Sequence, residues 1–563
     1  MSELLTGAQI LRRTLVDAGV EVMFGYPGGA IMPFYDALHG QQALRHILVR
    51  HEQAAAHAAD GYARASNRVG VCVATSGPGA TNLVTGLAAA HMDGSPVLAI
   101  TGQVGRPMLG RDAFQETDVV GVTLPVTKHN VLVRDVEDLA DDVREAMAIA
   151  MEGRPGPVLV DVPKDVQNQK AEYRESGAGS RGSVKPRLPT PDSRFLDDDA
   201  IQQTAHLIAE AQRPLLMIGR GVIVSGAYAE VRELAERTGT PVITTLLGIS
   251  AFPQAHDLHL GMPGMHGEVH INKAIQAADL IVGIGMRFDD RVTGNTATFA
   301  PRAKIVHIDV NPAAIGLNVP VALGIVGDAR RVLERLLPCV TPRDCLPWRE
   351  EISGLRHDRE ELFTGGLSPE VILSALADVT GGRCTVVSDV GQHQMWVAQR
   401  YPFQRPNTHI TSGGLGAMGF AVPAAMGVRL ARPDEPVWAI SGDGGFQMNM
   451  AEMATMVQEG IEVKLAVFNN GYLGMVRQWQ QFFHGGRYSN TPILSPDYVK
   501  LAEAYGIPGW RVTQAGEVSD VLRQANAAPG PALVELVIEQ EANVFPMIVP
   551  GGSLSEPLEA APV

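Results

Sequence analysis

The chain has 563 residues, 45% of them hydrophobic and 19% charged, with a formal net charge of −15 at neutral pH. That length suits about three or four domains with sizeable cores, and the negative balance argues against a nucleic-acid or anionic-membrane partner. The four cysteines, Cys72, Cys339, Cys345 and Cys384, lack C-x-x-C spacing and read as reduced thiols of a cytoplasmic protein, not as a zinc or redox site.

The N-terminal stretch "MSELLTGAQILRRTLVDAGV" has no charged start followed by an apolar block, so it does not read as a secretory signal. It predicts an amphipathic helix capped near Thr6, with Ile10, Leu11 and Leu15 on one face. "HILV" predicts a strand and "EQAAAHAADGYARA" a helix, with Glu52 in the first turn, where an acid suits the helix dipole. "GVCVAT" and "PVLAIT" are strand-like around the helical "ATNLVTGLAAAHM". A polar Gly/Ser/Pro-rich stretch, 168–194, reads as a linker. Strands follow at "PLLMIG", "PVITT", "LIVGIG" and "KIVHIDV"; "IGRGV" (218–222) is by itself a weak dinucleotide signal. A second linker, charged and broken by prolines, is predicted at 338–370, before the strands "CTVVSDV", "PVWAIS" and "VKLAVFN". Apolar strands alternating with helices predict an α/β protein of three doubly wound parallel-sheet domains, 1–167, 190–340 and 365–540, with a tail at 541–563. No apolar run is long enough to span a bilayer.

"SGDGGFQMN" (441–449) sets Asp443 at a strand end among Gly442, Gly444 and Gly445. The helical "FQMNMAEMATMVQEG" follows, ended by Gly460, and then the strand "IEVKLAVFNN". A right-handed β-α-β crossover would bring Asp443 and Asn470 together at neighbouring strand ends. A carboxylate, a carboxamide and the Tyr472 main-chain carbonyl are hard oxygen ligands suited to Mg²⁺ that also holds phosphate. The glycine turn and helix N-terminus favour the phosphates.

Gly-Asp-Gly, a helix and then Asn-Asn resemble the diphosphate motif of thiamine diphosphate enzymes. "FGYPGGAIMPFYDAL", "RHEQAAAHAADGYARA", "TSGPGATN", "RDAFQET", "GRPGPVLVDVPKDVQ", "GMHG", "RFDDRVTG", "DVGQHQMW", "GLGAMGF" and "GMVRQWQQFF" are together similar to the large catalytic subunit of the acetolactate (acetohydroxyacid) synthase family. The resemblance runs in order from about residue 5 to residue 553. It implies a first domain for the cofactor's pyrimidine, a central domain for FAD, and a third for the diphosphate and Mg²⁺. It also implies a thiamine site formed between two subunits, hence a homodimer or homotetramer, with a possible small regulatory subunit.

The resemblance carries roles over to residues. Glu52 would hold the pyrimidine ring nitrogen, the Gly416 carbonyl would accept from the amino group, and Met418 would bend the cofactor. Pro27 and Gly28 would line the cofactor, and Gly29, Ala30, Phe114, Gln115 and Lys164 the approach to it. Val390, Gly391, Gln392 and His393 would line the diphosphate end. Arg291 would take an acceptor carboxylate, a bidentate task, and Trp479 would form the pocket that prefers the larger acceptor. For FAD the implied contacts are Arg154, Thr245, Leu246, Met265, His266, Gly285, Arg287, Asp309 and Asp328, besides "IGRGV". The implied reaction decarboxylates pyruvate and joins the hydroxyethyl group to a second 2-oxo acid: pyruvate gives 2-acetolactate and 2-oxobutyrate gives 2-aceto-2-hydroxybutyrate, the first common step of branched-chain amino-acid biosynthesis. Two positions depart from the family pattern, Gly105 for a usual Pro and Arg111 for a usual Thr or Ser. The rival readings are another thiamine enzyme of this architecture (pyruvate oxidase, a 2-oxo acid decarboxylase, sulfoacetaldehyde acetyltransferase) or a non-catalytic relative.

Overall fold

The computed structural model describes residues 3–173, 196–356 and 367–561. Among them are three six-stranded sheets, every strand pair parallel. The first runs Arg45–Leu48, Val22–Gly25, Gly70–Ala74, Val97–Gln103, Val158–Pro163, His129–Leu132. The third runs His409–Thr411, Thr385–Ser388, Val437–Gly442, Lys464–Asn469, Ala532–Val537, Gly509–Val512. Numbered within each sheet, both have the strand order 2-1-3-4-6-5, so the chain builds one topology twice. The central sheet runs His259–Gly261, Val242–Thr244, Pro214–Ile218, Leu280–Ile284, Lys304–Asp309, Leu323–Val326. Its order, 3-2-1-4-5-6, is that of dinucleotide-binding folds. Almost every residue of the inner strands is buried, as expected for sheets covered on both faces.

The first and third domains share one apolar core, with Phe24, Ala58 and Tyr62 packed in the same cluster as Phe420, Ala424 and Met456. Its centre is the crossing of helices Glu52–Ser66 and Ala421–Ala431. A Cβ added at Gly61 would overlap the Ala424 carbonyl, and one at Gly427 the Ala58 carbonyl. Only hydrogen at both positions lets the backbones touch.

Several local readings change. The N-terminal helix is Gly7–Asp17 with a capping box at Thr6, while Glu3–Thr6 is a strand paired antiparallel to Lys170–Tyr173. Those residues open the stretch read as the first linker; 174–194 lies outside the described residues. The second linker contains the helix Leu346–Gly354, whose Trp348 and Ile352 are buried, the indole donating to the Pro214 carbonyl at 3.1 Å. Pro347 sits in its first turn, where proline does no harm. The helix after "SGDGG" starts at Asp443 itself and divides into Asp443–Asn449 and Glu452–Glu459. In the tail Met547, Ile548 and Leu554 are buried, and the Ile548 amide donates to the Met265 carbonyl at 2.8 Å. No helix among the described residues is long and apolar enough to cross a membrane.

Candidate active site

Ligands in open α/β sheets gather where the strand order reverses, at the carboxyl ends. In the third sheet that point lies between Thr385–Ser388 and Val437–Gly442, and the residues that follow are Asp389–His393 and Asp443. Asp443 is buried; its Oδ1 accepts from the Gly444 amide at 2.9 Å and its Oδ2 from the Gly471 amide at 2.8 Å. The second bond spans the predicted crossover and places Asn470 beside Asp443. The Asn470 carboxamide accepts from the Tyr472 amide at 3.2 Å and faces Gln392 at 3.4 Å. Burial pushes the Asp443 carboxyl up to about 6, against the pull of its backbone donors. A divalent cation would compensate that buried charge, and the oxygen donor set fits Mg²⁺ carrying phosphate oxygens. These residues line a small cavity of about 60 Å³ together with Gly442, Gly444, Gly445, Tyr472, Gln392 and His393. The Gly442 amide donates to His393 Nε2 at 3.3 Å, and burial lowers that imidazole to about 3, so it stays neutral.

A cavity of about 660 Å³ adjoins it, and Val390, Gly391, Met418, Met475 and Val476 belong to both walls. Gly416, Arg291 and Trp479 line it as well. Arg154, Thr245, Leu246, Met265, His266 and Gly285 line the remainder, with Arg287, Asp309 and Asp328. All nine contacts inferred for FAD thus face one space. That space opens at the reversal of the central sheet, where Gly219–Gly221 follow Pro214–Ile218 and Gly285 follows Leu280–Ile284. Arg220 lines it too and has a buried Nε without a protein partner. Asp309 ends its strand, where such folds hold a ribose hydroxyl. A cavity of this size with four arginines in its wall and glycine-tight strand ends fits a dinucleotide.

Arg291 is exposed and comes no closer than 3.8 Å to Asp290; Asp289 instead caps the helix Asp290–Thr293 and approaches Arg287 at 3.4 Å. The Arg291 guanidinium leans on Trp479, whose buried indole N–H has no protein partner.

The remaining site residues belong to neither wall. Pro27, Gly28, Gly29 and Ala30 follow the strand Val22–Gly25 at the reversal of the first sheet. A Cβ at Gly28 would meet Thr75 at 2.5 Å, and the Thr75 hydroxyl accepts from the Ala30 amide at 3.2 Å. Glu52 opens its helix and accepts from the Asn82 side chain at 3.0 Å. Phe114 is 88% exposed, Gln115 holds a positive φ of 59°, and Lys164 is exposed. None of these residues lines either of the two cavities. Gly105 and Arg111 lie on the Phe114 loop, and the Arg111 amide donates to Glu116 at 3.3 Å.

Sequence reasoning missed Asp389. It is buried and accepts from the Val390 amide at 2.7 Å, the Gly419 amide at 2.9 Å and the Ser441 hydroxyl at 3.2 Å. It ties the Met418 turn to the diphosphate end. An acid at the end of "CTVVSD" repeats the pattern of "AISGD" and was there to be read.

Comparison with known proteins gives the family. Three family models match in order: thiamine pyrophosphate enzyme, N-terminal TPP binding domain, over residues 5–122; central domain, over 201–336; and C-terminal TPP binding domain, over 389–536. The acetolactate synthase large subunit of Corynebacterium glutamicum is 47% identical across 98% of this chain and 90% of its own length. The acetolactate synthase of Mycobacterium bovis is 48% identical across 98% and 91%. A probable acetolactate synthase large subunit of Methanocaldococcus jannaschii is 44% identical across 99% and 96%. With all three domains matched and close to half its residues shared along its length, the chain belongs to the thiamine pyrophosphate enzymes and, within them, to the acetolactate synthase large subunits.

Proposed function

We propose that this chain is the catalytic subunit of an acetolactate synthase: it removes carbon dioxide from pyruvate and joins the two-carbon remainder to a second 2-oxo acid. The observation that carries this is the approach of Arg291 to the Trp479 ring in the wall of the cavity that Met418 also lines. A cation for an acceptor carboxylate and an aromatic wall for its alkyl chain are what a carboligase needs and a simple decarboxylase does not. When bound, thiamine diphosphate supplies the nucleophilic carbon and the electron sink for decarboxylation.

The protein's own groups divide the rest. Asp443, Asn470 and the Tyr472 carbonyl hold Mg²⁺ and through it the diphosphate. The Gly416 carbonyl and Met418 would hold the pyrimidine. Glu52 hydrogen-bonds a pyrimidine nitrogen and holds a proton there. Arg291 takes the acceptor carboxylate in two hydrogen bonds. Trp479 packs against the acceptor's alkyl group and excludes water. Arg154, Arg220 and Arg287 would hold the phosphates of FAD in the larger cavity.

Glu52, Phe114, Gln115 and Lys164 complete the site of a second copy, so the working unit is at least a homodimer. An exposed Phe114, and the fact that none of these four residues lines either cavity of its own chain, support this. A small regulatory subunit is a further expected partner, and the buried free thiols Cys72, Cys345 and Cys384 suit the cytoplasm. The test is purified protein with pyruvate as its sole carbon substrate, supplied with thiamine diphosphate, Mg²⁺ and FAD. Acetolactate supports the reading; acetaldehyde as the product overturns it.

A further inference from the structure

The turn Gly413–Gly416 belongs to the third domain but is fastened by the first. Asp93 ends the helix Val84–Asp93 and is 3% exposed. Its Oδ1 accepts from the Gly414 amide at 2.6 Å, and its Oδ2 from the Gly413 amide at 3.1 Å and from Arg64 Nη2 at 2.8 Å. Arg64 is as deeply buried. It donates to both Asp60 oxygens at 2.7 and 2.8 Å and to the Thr411 carbonyl at 2.7 Å, and it lies 5.2 Å from the Phe420 ring centre. Two first-domain side chains thus hold the segment at 411, at 413–414 and at 420. Gly416 and Met418, which line the large cavity, hang between those points.

A buried carboxylate is costly unless it is paired and fully hydrogen-bonded, and Asp93 meets that need with two turn amides. The turn has only glycines at 413, 414 and 416, so it has few side chains with which to order itself. The fit is close: a Cβ on Gly414 would meet Asp93 Oδ1 at 2.7 Å. Asp60 supplies an internal control, since it pairs with the same arginine and makes no hydrogen bond to the turn.

We propose that Asp93 is a positioning residue: by holding the Gly413 and Gly414 amides it sets the Gly416 carbonyl and Met418 against the cofactor's pyrimidine. The inference rests on the thiamine reading for what the turn faces, and on geometry alone for the tie. The experiment compares Asp93→Asn with Asp60→Asn in the full chain by amide hydrogen exchange without cofactors, and by turnover of pyruvate with them. Asp93→Asn is expected to speed exchange at 413–417 about tenfold or more. It is expected to lower kcat about tenfold or more, with KM for pyruvate within about threefold, because a small misplacement at a reacting centre is costly. Asp60→Asn is expected to lower the melting temperature while leaving exchange at the turn and kcat near wild type. Gly414→Ala pushes the turn off Asp93 without touching the charges; it should reproduce the exchange and kcat changes, and it stands in if Asp93→Asn does not fold. Unchanged exchange in both turn variants, or an Asp60→Asn that shows the same exchange and kcat changes, overturns the proposal. Faster exchange in protein whose wild type does not turn over pyruvate leaves the tie standing, overturns the positioning role and removes the thiamine reading beneath it.

Discussion

The guanidinium carbon of Arg291 lies 5.9 Å from the centre of the Trp479 ring, and Trp479 stands edge-on to Phe483 at 5.9 Å between ring centres. Arg291 and Trp479 come from different domains, and the tail residue Met547 belongs to the same small apolar cluster as Trp479 and Phe483. A carboxylate on Arg291 would lay its alkyl chain along the indole. Trp479→Leu should therefore lower the preference for 2-oxobutyrate over pyruvate by about tenfold or more, one methylene in a close pocket being worth about 1–3 kcal/mol. Arg291→Lys, which loses the planar fork, should raise KM for the acceptor about tenfold. Acceptor competition at equal concentrations reads the first and an acceptor saturation curve the second; an unchanged product ratio in Trp479→Leu would remove the indole from specificity.

If the site forms between two copies, as proposed, Glu52 and Asp443 reach it from different chains and can be separated genetically. Glu52→Gln keeps the shape that accepts from Asn82 and should bind thiamine diphosphate with Mg²⁺ within a few-fold of wild type. Its turnover should fall about a hundredfold or more, the scale of a lost proton-transfer group. Asp443→Asn should lose the Mg²⁺-dependent binding measured by calorimetry. Co-expressed chains carrying one change each would place both intact residues at one site of each mixed dimer. Statistical pairing then predicts recovery of about a quarter of wild-type activity. No recovery in isolated mixed dimers would mean that each chain builds its own site.

What was legible in the sequence follows rules that act locally. Asp443 and Asn470 could be joined on paper because crossover handedness and strand-end geometry fix where a β-α-β unit puts its ends. The paired apolar strands were legible for the same reason. The helix Leu346–Gly354 was not, because Pro347 looks like a breaker unless its first-turn position is known. The pairing of Glu3–Thr6 with Lys170–Tyr173 and the tie from Asp93 to Gly414 were not, since each depends on a partner far along the chain. The identical strand order of the first and third sheets was also hidden: topology repeats there without any repeat of sequence that inspection found.

The crossing of Glu52–Ser66 with Ala421–Ala431 predicts a strong size limit. Gly427→Ala puts a methyl into the Ala58 carbonyl and must separate the two helices. It should destabilise the protein by about 1–3 kcal/mol or more, as overpacking does, visible as a lower denaturation midpoint. A midpoint equal to wild type would show that the crossing yields freely.

Asp161 gives a pH signature outside the cofactor sites. It is buried, accepts from Thr101 at 2.7 Å and from Gln103 at 2.9 Å, and burial raises its carboxyl to about 7. Gln103 in turn donates to the Thr117 carbonyl at 2.9 Å, at the base of the Phe114 loop. Between the ordinary carboxyl value and about 7 the folded state holds a proton that the unfolded state has released. Stability therefore falls as pH rises through this window, and the loss is complete above it. Buried histidines of lowered pKa act in the opposite sense but only below their ordinary value of 6.5. From pH 6.5 to 8 the melting temperature of cofactor-free protein should fall, and Asp161→Asn should fall less. Parallel curves for the two proteins would contradict the assignment.

The central claim is that this chain joins two 2-oxo acids. The most direct measurement incubates purified protein with pyruvate and 2-oxobutyrate together, with thiamine diphosphate, Mg²⁺ and FAD, and identifies the products by mass spectrometry. The account predicts 2-acetolactate and 2-aceto-2-hydroxybutyrate, the second in excess. Acetaldehyde or acetyl phosphate in place of both would contradict it and assign the protein to the thiamine enzymes that use no second 2-oxo acid.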